Sequence, residues 1–418
     1  MDYQLNKARP LIMHIDLNSC FAIIEQQANP LYRNKPVAVA AYDTGNGMVI
    51  ASSYEAKSKG ITLGVNVREA KAIDPNVIIL MPDPFKYFEA HRLFREVLQD
   101  YTSHVDPKSV DEFVIDFAGS PTIREGRDLI DVGYEIKHRI KDHVGCYVTV
   151  NVGIGTNRFW AKTAAGLHKP DGLDVMSSEN ALDIYRQLEL TDLTGIAHRY
   201  EARLNASRIL TPLDFLNASR LKLKGEVFRS IVGSQWYERL RGWEVDNVHW
   251  DKKSVGHNHA IYKKTADRNE LSQLLMKLTY KVGRRMRKYG YTARGIHLSL
   301  GFDRRFWWGK SRDTKTIMYS DADIYFHARK LLYEAVIPDL VSNISVSVYG
   351  LIEVEPEQLS IFGGTRMDGK ALSDALDKIN DRYGEFTIVP AVMANMENVI
   401  LQRVAFGSVK DIIEFIGK

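Results

Sequence analysis

Three acidic residues have the types and placement to do chemistry together: Asp16, at the end of a short apolar run, and the adjacent pair Asp111 and Glu112. Carboxylate oxygens suit Mg²⁺, with substrate phosphates completing its coordination. Two such ions can clamp an in-line phosphoryl displacement, one activating the attacking hydroxyl and the other neutralising the leaving group. Because consecutive strand residues point to opposite faces, the adjacent pair can share a metal only at a strand end, turn or bulge. Taken alone, the pair is more simply a surface turn.

Mixed strands and helices must position these acids over roughly the first 185 residues. The apolar run 11–15 predicts a buried strand ending at Asp16, and a second strand is expected around residues 109–117. Turn residues at 44–47 between two apolar runs predict a hairpin. Further strands are predicted at 37–40, 49–51 and 147–154, and helices at 54–59, 67–73, 84–98 and 129–140 and after a capping Asn157.

The second half of the chain has a different pattern. Residues 190–245 predict short helices without a strand, and the polar stretch 246–256 predicts a linker. A last αβ unit follows, in which apolar residues between 271 and 286 fall on one helical face. Its other predicted elements are strands at 296–300 and 344–351 and a helix at 324–335, and one more helix is predicted around 371–380.

Composition sets the broad class. A chain of 418 residues suggests two to four domains, and a hydrophobic fraction of 45% with a charged fraction of 26% is typical of a soluble globular protein. No apolar run approaches the roughly 18–20 residues that would span a bilayer, and the first residues lack the layout of a secretory signal. Two cysteines, Cys20 and Cys146, argue against a disulfide framework or a cysteine zinc site. We therefore expect a cytoplasmic monomer with no membrane partner.

Several segments form an ordered series that covers roughly residues 11 to 350. They are IDLNSCFA at 15–22, ASSYEAK at 51–57, SVDEFVID at 109–116, GIGTNRFWAK at 153–162, HKPDG at 168–172 and LTGIA at 193–197. In order and spacing they resemble the metal, fingers, palm and thumb motifs of the Y-family (translesion) DNA polymerases, of the bacterial polymerase IV and V kind. The agreement of the whole series is far more specific than any single segment.

The resemblance implies an α+β multidomain fold shaped as a right hand. The implied domains are a palm at 1–35 and 84–187, small fingers at 36–83, a helical thumb with a helix-hairpin-helix turn at 188–248, an αβ little finger at 252–352 and a C-terminal tail at 353–418.

The resemblance also assigns roles at the metal site. Asp16 and Asp111 would bridge two Mg²⁺ ions, or Mn²⁺ in their place, and Glu112 would complete the catalytic one. The carbonyl of Leu17 would join the nucleotide-bound ion. Phe21 stands at the steric-gate position, where an aromatic ring crowds the sugar 2′ position and rejects ribonucleotides. Without the resemblance, Phe21 would be a core residue.

Three residues would hold the triphosphate of the incoming deoxynucleotide: Tyr54, Lys57 and Lys169. Lys57 stands where arginine is more frequent, which replaces a planar fork with a point charge. Asn18 replaces a frequent aspartate, and Ala197 replaces the last glycine of the thumb turn. None of these departures removes a required carboxylate. From the residues alone, Tyr54 and Lys169 would be packing and turn residues.

A primed DNA template is the partner that the basic clusters suggest. The DNA contacts predicted are the thumb turn at Gly195, Arg284 and Arg285 near the end of the predicted helix, and Arg304 and Arg305 beyond it. Contacts of basic residues with phosphates position an enzyme without reading sequence, and they make affinity fall with salt. A basic helix end is otherwise a solvated face.

A peptide in the tail suggests a second partner. Gln358, Leu359, Ile361 and Phe362, in the sequence QLSIF, resemble the short motif by which bacterial polymerases dock on the replication sliding clamp, the β-clamp. Apolar side chains of such a peptide can enter a pocket while the glutamine anchors the backbone.

The function indicated is template-directed, low-fidelity DNA synthesis past damaged bases, in DNA repair and the DNA-damage (SOS) response. A catalytically silent DNA- and clamp-binding regulator of stalled forks is the alternative, but it would be favoured by loss of Asp16, Asp111 or Glu112, and all three are present. A palm-type enzyme making a cyclic or dinucleotide product would have no use for the thumb and little-finger segments.

Overall fold

The computed structural model describes residues 3–248, 251–302, 306–354, 367–394, 396 and 400. Two compact units divide between Val248 and His249. Among the helices of these described ranges, none combines the length and the apolar character that crossing a membrane requires.

The first unit carries a large sheet, a small sheet and a helical segment. Its elements are β1 (Ile12–Leu17), α1 (Cys20–Ala28), β2 (Val37–Ala40), β3 (Val49–Ser52), α2 (Tyr54–Lys57), α3 (Val67–Ile73), β4 (Ile78–Leu80), α4 (Pro84–Gln99), β5 (Val105–Pro107), β6 (Glu112–Asp116), α5 (Pro121–Arg124), α6 (Leu129–His143), β7 (Val150–Gly155), α7 (Arg158–Leu167), β8 (Leu173–Met176), α8 (Ala181–Gln187), α9 (His198–Ala206), α10 (Pro212–Asn217), α11 (Arg220–Lys222) and α12 (Ile231–Arg239).

The large sheet has the order β5-β6-β1-β7-β8, and β1 lies at its centre, antiparallel to both β6 and β7. Met13 and Ile15 are fully buried in one core cluster with apolar residues of α4 and α6. Ile12 packs on Ala161 of α7 in a separate cluster. Because side chains alternate along a strand, Asp16 lies on the same face of β1 as Ile12. The predicted buried strand ending near Asp16 is confirmed.

Two glycines let α7 approach the sheet closely. A Cβ on Gly153 of β7 would lie 2.0 Å from the Ala161 carbonyl oxygen, and one on Gly155 would lie 2.5 Å from the Ala161 nitrogen. The predicted cap at Asn157 is confirmed, since its side-chain oxygen accepts a hydrogen bond from the Trp160 N–H at 2.7 Å. The close approach of α7 to Gly153 and Gly155 determines how near to the sheet the side chains of α7 lie.

The small sheet has the order β3-β2-β4. The predicted hairpin of β2 and β3 is confirmed, and β4, which the sequence pattern did not predict, pairs in parallel with β2. Helix α2 has four residues and begins at a Ser53 cap, while α3 begins with a capping box between Asn66 and Glu69.

Residues 190–245 contain helices and no strand, as predicted. Their core is aromatic, with Phe215, Phe228 and Trp236 packed on one another. Gly195 lies in the turn before α9 with a φ of +99°, which an L side chain rarely adopts. It is exposed between buried Leu193 and Ile196, so its backbone faces solvent.

The second unit is an antiparallel sheet of order β11-β10-β12-β9 with helices on one face. The predicted strands and helices are confirmed, whereas β9, which begins inside the predicted linker, and β11 were missed. The elements are β9 (Ser254–Thr265), α13 (Arg268–Lys288), β10 (Tyr291–Phe302), β11 (Trp307–Met318), α14 (Asp321–Glu334), β12 (Val341–Glu353) and α15 (Met367–Tyr383).

The C-terminal segment packs onto this unit. The predicted tail helix is confirmed as α15, and Met393 and Met396 are buried in the same core as α13 and α14. The Arg287 guanidinium, only 3% exposed, donates hydrogen bonds to Asp377 of α15 at 2.6 Å and to Asp321 of α14 at 2.8 Å. A buried cation therefore joins the tail to two helices of the domain.

We expect Arg287→Ala to destabilise the second unit by about 3–5 kcal/mol, because it leaves the buried Asp321 carboxylate without its partner. Arg284→Ala is the matched control, since its carboxylate partners Asp381 and Glu385 are 44% and 30% exposed. The control should cost less than about 1 kcal/mol. Urea unfolding of both variants measures the difference, and equal losses would contradict it.

Candidate active site

Asp16 and Glu112 are direct partners across the antiparallel strands β1 and β6. Residues in such a pair carry their side chains on one face of the sheet, with Cβ atoms about 4.5–5.5 Å apart. Asp111 immediately precedes β6, so strand alternation does not direct its side chain away from the other two. Its carbonyl oxygen accepts a hydrogen bond from the Leu17 N–H at 2.9 Å. The pair thus lies at a strand end, the geometry that a shared metal requires.

Two lysines supply positive charge to these carboxylates. The Lys162 ammonium of α7 lies 2.7 and 2.6 Å from the two carboxylate oxygens of Glu112. The Lys169 ammonium lies 2.6 Å from Asp16 Oδ2. Each ammonium group thus occupies a position at which a metal ion could bind the same carboxylate. The carboxylate oxygens of Asp16 and Glu112 form an oxygen-rich donor set, which fits Mg²⁺ or Mn²⁺.

The histidine His14 was not assigned a role from the sequence, and the structure places it at the site. One ring nitrogen and one carboxylate oxygen each from Asp16 and Glu112 lie within 4.8 Å of one another. Burial, and then the nearby Lys162 and Lys169, lower the pKa of His14 to about 3, so the ring is neutral. Its position two residues before Asp16 on one strand, hence on the same face, is the signal that could have identified it.

Asp111 is the carboxylate with a perturbed pKa. Burial, with the charges of Asp16 and Glu112 adding to it, raises the pKa of Asp111 to about 6, although a hydrogen bond from Ser109 opposes the shift. The Ser109 hydroxyl lies 2.5 Å from Asp111 Oδ1. A partly buried carboxylate that is repelled by two others is the arrangement that a divalent cation would relieve.

Phe21 is fully buried, in the first turn of α1. Its ring stacks on that of Tyr87, with centroids 4.2 Å apart and planes at 11°. The Tyr87 hydroxyl donates to buried Glu25 at 3.0 Å, and Lys86 pairs with the same carboxylate at 2.8 Å. One face of the Phe21 ring is therefore held in place by Tyr87, which is itself fixed by its hydrogen bond to Glu25.

Tyr54 and Lys57 both lie on α2 and contact the turn between β1 and α1. The Lys57 ammonium lies 2.7 Å from Ser19 Oγ, and the Tyr54 hydroxyl donates to Asn18 Oδ1 at 3.3 Å. Burial, and then the charge of Lys169, lower the pKa of Lys57. The space next to the positively charged Lys57 and Lys169 therefore favours the binding of an anion.

The predicted DNA contacts fall into three groups. Gly195 lies in the exposed thumb turn. The Arg284 guanidinium lies 2.5 Å from Asp381 and 3.3 Å from Glu385, and Arg285 donates to the Gly256 carbonyl at 3.2 Å. The remaining predicted contacts, Arg304 and Arg305, and the clamp peptide of Gln358, Leu359, Ile361 and Phe362 lie outside the described residues.

Comparisons with known proteins identify the family of the chain. Residues 15–166 match the impB/mucB/samB family, and residues 252–361 match the C-terminal domain of that family. The chain is 31% identical to a DNA polymerase IV of Pelotomaculum thermopropionicum, over 94% of this chain and 97% of the relative. It is 32% identical to a DNA polymerase IV of Moorella thermoacetica, over 91% and 95%.

The fold is also similar to that of a solved Y-family DNA polymerase chimera of Dbh and Dpo4, with a TM-score of 0.71 at 23% identity, covering 82% of this chain and 99% of that one. The chain therefore belongs to the impB/mucB/samB family of Y-family DNA polymerases. Within that family, the curated relatives that it resembles carry the name DNA polymerase IV.

We expect Asp111→Asn to stabilise the metal-free protein at neutral pH. An unfolded aspartate ionises near 3.8, whereas Asp111 in the folded chain has a pKa of about 6. Folding therefore favours the protonated form, and stability is lost as the pH rises from 4 to 6 and stays lost above it. The shift corresponds to at most about 3 kcal/mol.

Thermal melting in EDTA at pH 4 and pH 8 measures the effect. The amide variant should melt higher than the wild type at pH 8, and the two should converge at pH 4. A variant that melts lower at both pH values would contradict the prediction.

Proposed function

We propose that this chain extends a DNA primer on damaged templates by two-metal nucleotidyl transfer, with Asp16, Asp111 and Glu112 as the catalytic carboxylates. Family membership supports the reaction class. The observation that carries the residue assignment is the pairing of Asp16 with Glu112 across β1 and β6, with Asp111 at the start of β6. No carboxylate that the reaction needs is missing, which disfavours a catalytically silent regulator.

Two Mg²⁺ ions bound here would activate the primer hydroxyl and neutralise the pyrophosphate leaving group. Asp16, Asp111, Glu112 and the Leu17 carbonyl would hold them. The Lys162 and Lys169 ammonium groups lie 2.6–2.7 Å from the carboxylate oxygens of Glu112 and Asp16 and balance their negative charge. A bound metal ion would therefore replace the positive charge of the lysines at these carboxylates. Lys169 would then be free to contact phosphate.

Tyr54, Lys57 and Lys169 would hold the triphosphate. Burial and then the charge of Lys169 lower the pKa of Lys57, so the two ammonium groups are near enough for both to approach one anion. Phe21 would act as the steric gate, and its parallel stacking on Tyr87 would keep the ring from yielding to a ribose 2′-hydroxyl.

The open face of the second sheet is the surface that we assign to duplex DNA. Ile296, Leu298 and Leu300 face the helices and are fully buried, so the alternate residues face the other way. His297 and Ser299 of β10 are in register with Ser347 and Ser345 of β12 and with Ser311 and Gly309 of β11. Small polar side chains allow a phosphate backbone to approach closely.

Other partners follow from the sequence resemblance. Docking of residues 358–362 on the sliding clamp, and action in the bacterial cytoplasm during the DNA-damage response, remain predictions. The curated relatives named above are bacterial proteins, which supports that setting.

Primer extension tests the function. With Mg²⁺, a primed template and all four deoxynucleotides, the wild type should extend the primer, both on undamaged template and past an abasic site. Asp111→Ala should lower the rate by at least about a thousandfold, because it removes a carboxylate from both metals. Asp142→Ala, which removes a 58% exposed aspartate of α6, is the matched control and should retain full activity.

Failure of the wild type and both variants to extend, with primed DNA still bound, would favour the silent regulator. Extension by Asp111→Ala at the wild-type rate would refute the assignment of the metal carboxylates.

DNA binding tests the surface. Ser299→Asp places a negative charge on the open sheet face and should weaken binding of primed DNA several-fold, by roughly 1 kcal/mol. Arg284→Ala should leave both the affinity and its salt dependence unchanged, because two carboxylates already hold that guanidinium. Fluorescence anisotropy over a salt series measures both.

If instead Arg284→Ala weakens DNA binding and Ser299→Asp does not, DNA binds at α13. In that case Arg284→Ala would reduce the slope of log affinity against log salt by about one, and Ser299→Asp would have no effect. Melting temperatures of the two variants serve as the folding control.

A further inference from the structure

The helix that carries two triphosphate contacts is too short to hold its own position. Helix α2 has four residues, Tyr54 to Lys57, whereas isolated helices need about 12–15 residues to be even marginally stable in water. The Ser53 hydroxyl accepts a hydrogen bond from the Ala56 N–H at 3.3 Å and donates one to the Lys35 carbonyl at 3.2 Å. The orientation of α2 must come from further side-chain contacts.

The contacts on the active-site side of α2 are those that a nucleotide would disturb. Lys57 and Tyr54 touch Ser19 and Asn18, next to the metal carboxylates. In the proposed reaction both side chains turn to the triphosphate, so they cannot at the same time fix the helix to the palm. An anchor that persists during nucleotide binding has to lie on another side of α2.

Glu55 provides such an anchor. One carboxylate oxygen accepts a hydrogen bond from Gln26 Nε2 at 3.2 Å, and the other accepts one from the Tyr147 hydroxyl at 3.3 Å. Gln26 lies on α1 and is 2% exposed, and its Nε2 also lies 3.2 and 3.1 Å from the carbonyl oxygens of Tyr32 and Lys35, so its two hydrogens are shared among three acceptors. Glu55 therefore joins α2 to a rigid, buried part of the palm.

Tyr147 is itself fixed. Its hydroxyl accepts a hydrogen bond from the Asn34 N–H at 3.0 Å, and its single proton is shared between Glu55 Oε1 at 3.3 Å and Asn34 Oδ1 at 3.2 Å. Its own N–H donates to Gln27 Oε1 at 2.7 Å. Glu55 and Tyr147 both line a cleft of about 290 Å³ between α2 and the palm. Glu55 and Tyr147 therefore meet directly, at 3.3 Å, in the wall of this cleft.

We propose that Glu55 is a positioning residue for the incoming nucleotide: its hydrogen bonds to Gln26 and Tyr147 lock α2 onto the palm, so that Tyr54 and Lys57 are presented to the triphosphate. The inference rests on the proposed polymerase function. Glu55 does not touch the phosphates in this role, since its negative charge would repel them, and both of its oxygens are directed at the palm.

Steady-state kinetics of single-nucleotide insertion separates this role from a catalytic one. Tyr147→Phe removes one hydrogen bond to Glu55 and should raise KM for the deoxynucleotide about fivefold, with kcat within about twofold of wild type. Glu55→Ala removes both and should raise KM further. Glu55→Gln retains one acceptor oxygen and should fall between Ala and wild type. Tyr134→Phe, at an exposed tyrosine of α6, is the matched control.

A binding measurement keeps the proposal testable without turnover. With Ca²⁺, which holds nucleotide without supporting the reaction, the deoxynucleotide should raise the melting temperature of wild type and Tyr134→Phe, and raise it less in Glu55→Ala and Tyr147→Phe. If no variant extends primers, the proposed function fails while this measurement still tests the anchor.

Two outcomes would overturn the anchor. One is a fall in kcat with KM unchanged in both Glu55→Ala and Tyr147→Phe. The other is a full nucleotide-dependent melting shift in Tyr147→Phe, with Glu55→Ala merely melting lower in the absence of nucleotide, which would give Glu55 a role in folding alone.

Discussion

The site depends on bringing three carboxylates together at the adjoining ends of β1 and β6, against their mutual repulsion. Lys162 and Lys169 balance Glu112 and Asp16, whereas Asp111 is hydrogen-bonded to the Ser109 hydroxyl, and burial raises its pKa to about 6. Asp111 is therefore the carboxylate of the site that would gain most from a neighbouring divalent cation, because such an ion would stabilise its charged form.

The backbone makes this clustering of carboxylates possible. A strand paired on both sides has little freedom, so β1 presents Asp16 opposite Glu112 without adjustment. The lysine partner of Glu112 comes from α7, and that helix can lie close to the sheet only because β7 has Gly153 where a Cβ would meet the Ala161 carbonyl. The electrostatic balance at the carboxylates thus relies on a steric feature of the neighbouring strand.

Sequence reasoning identified most of what depends on local pattern, although it missed the short apolar strand β4, and it missed what depends on pairing. The hairpin of β2 and β3, the Asn157 cap and the helical residues 190–245 have local signals, and all were predicted correctly. Strands β9 and β11 were missed because their open faces are polar, which leaves no apolar run to detect. His14 was missed because its importance comes from Glu112, a residue on another strand.

The basic cluster on α13 has counter-charges that the sequence alone does not reveal. Read along the chain, Arg284 and Arg287 resemble a phosphate-binding face. In the fold, Asp377 and Asp381 of α15, residues 90 or more positions away in the sequence, supply their counter-charges. Arg287 is almost fully buried between two carboxylates, so no phosphate can reach it without displacing them. A run of cations therefore indicates a nucleic-acid surface only where the fold leaves those cations without internal carboxylate partners.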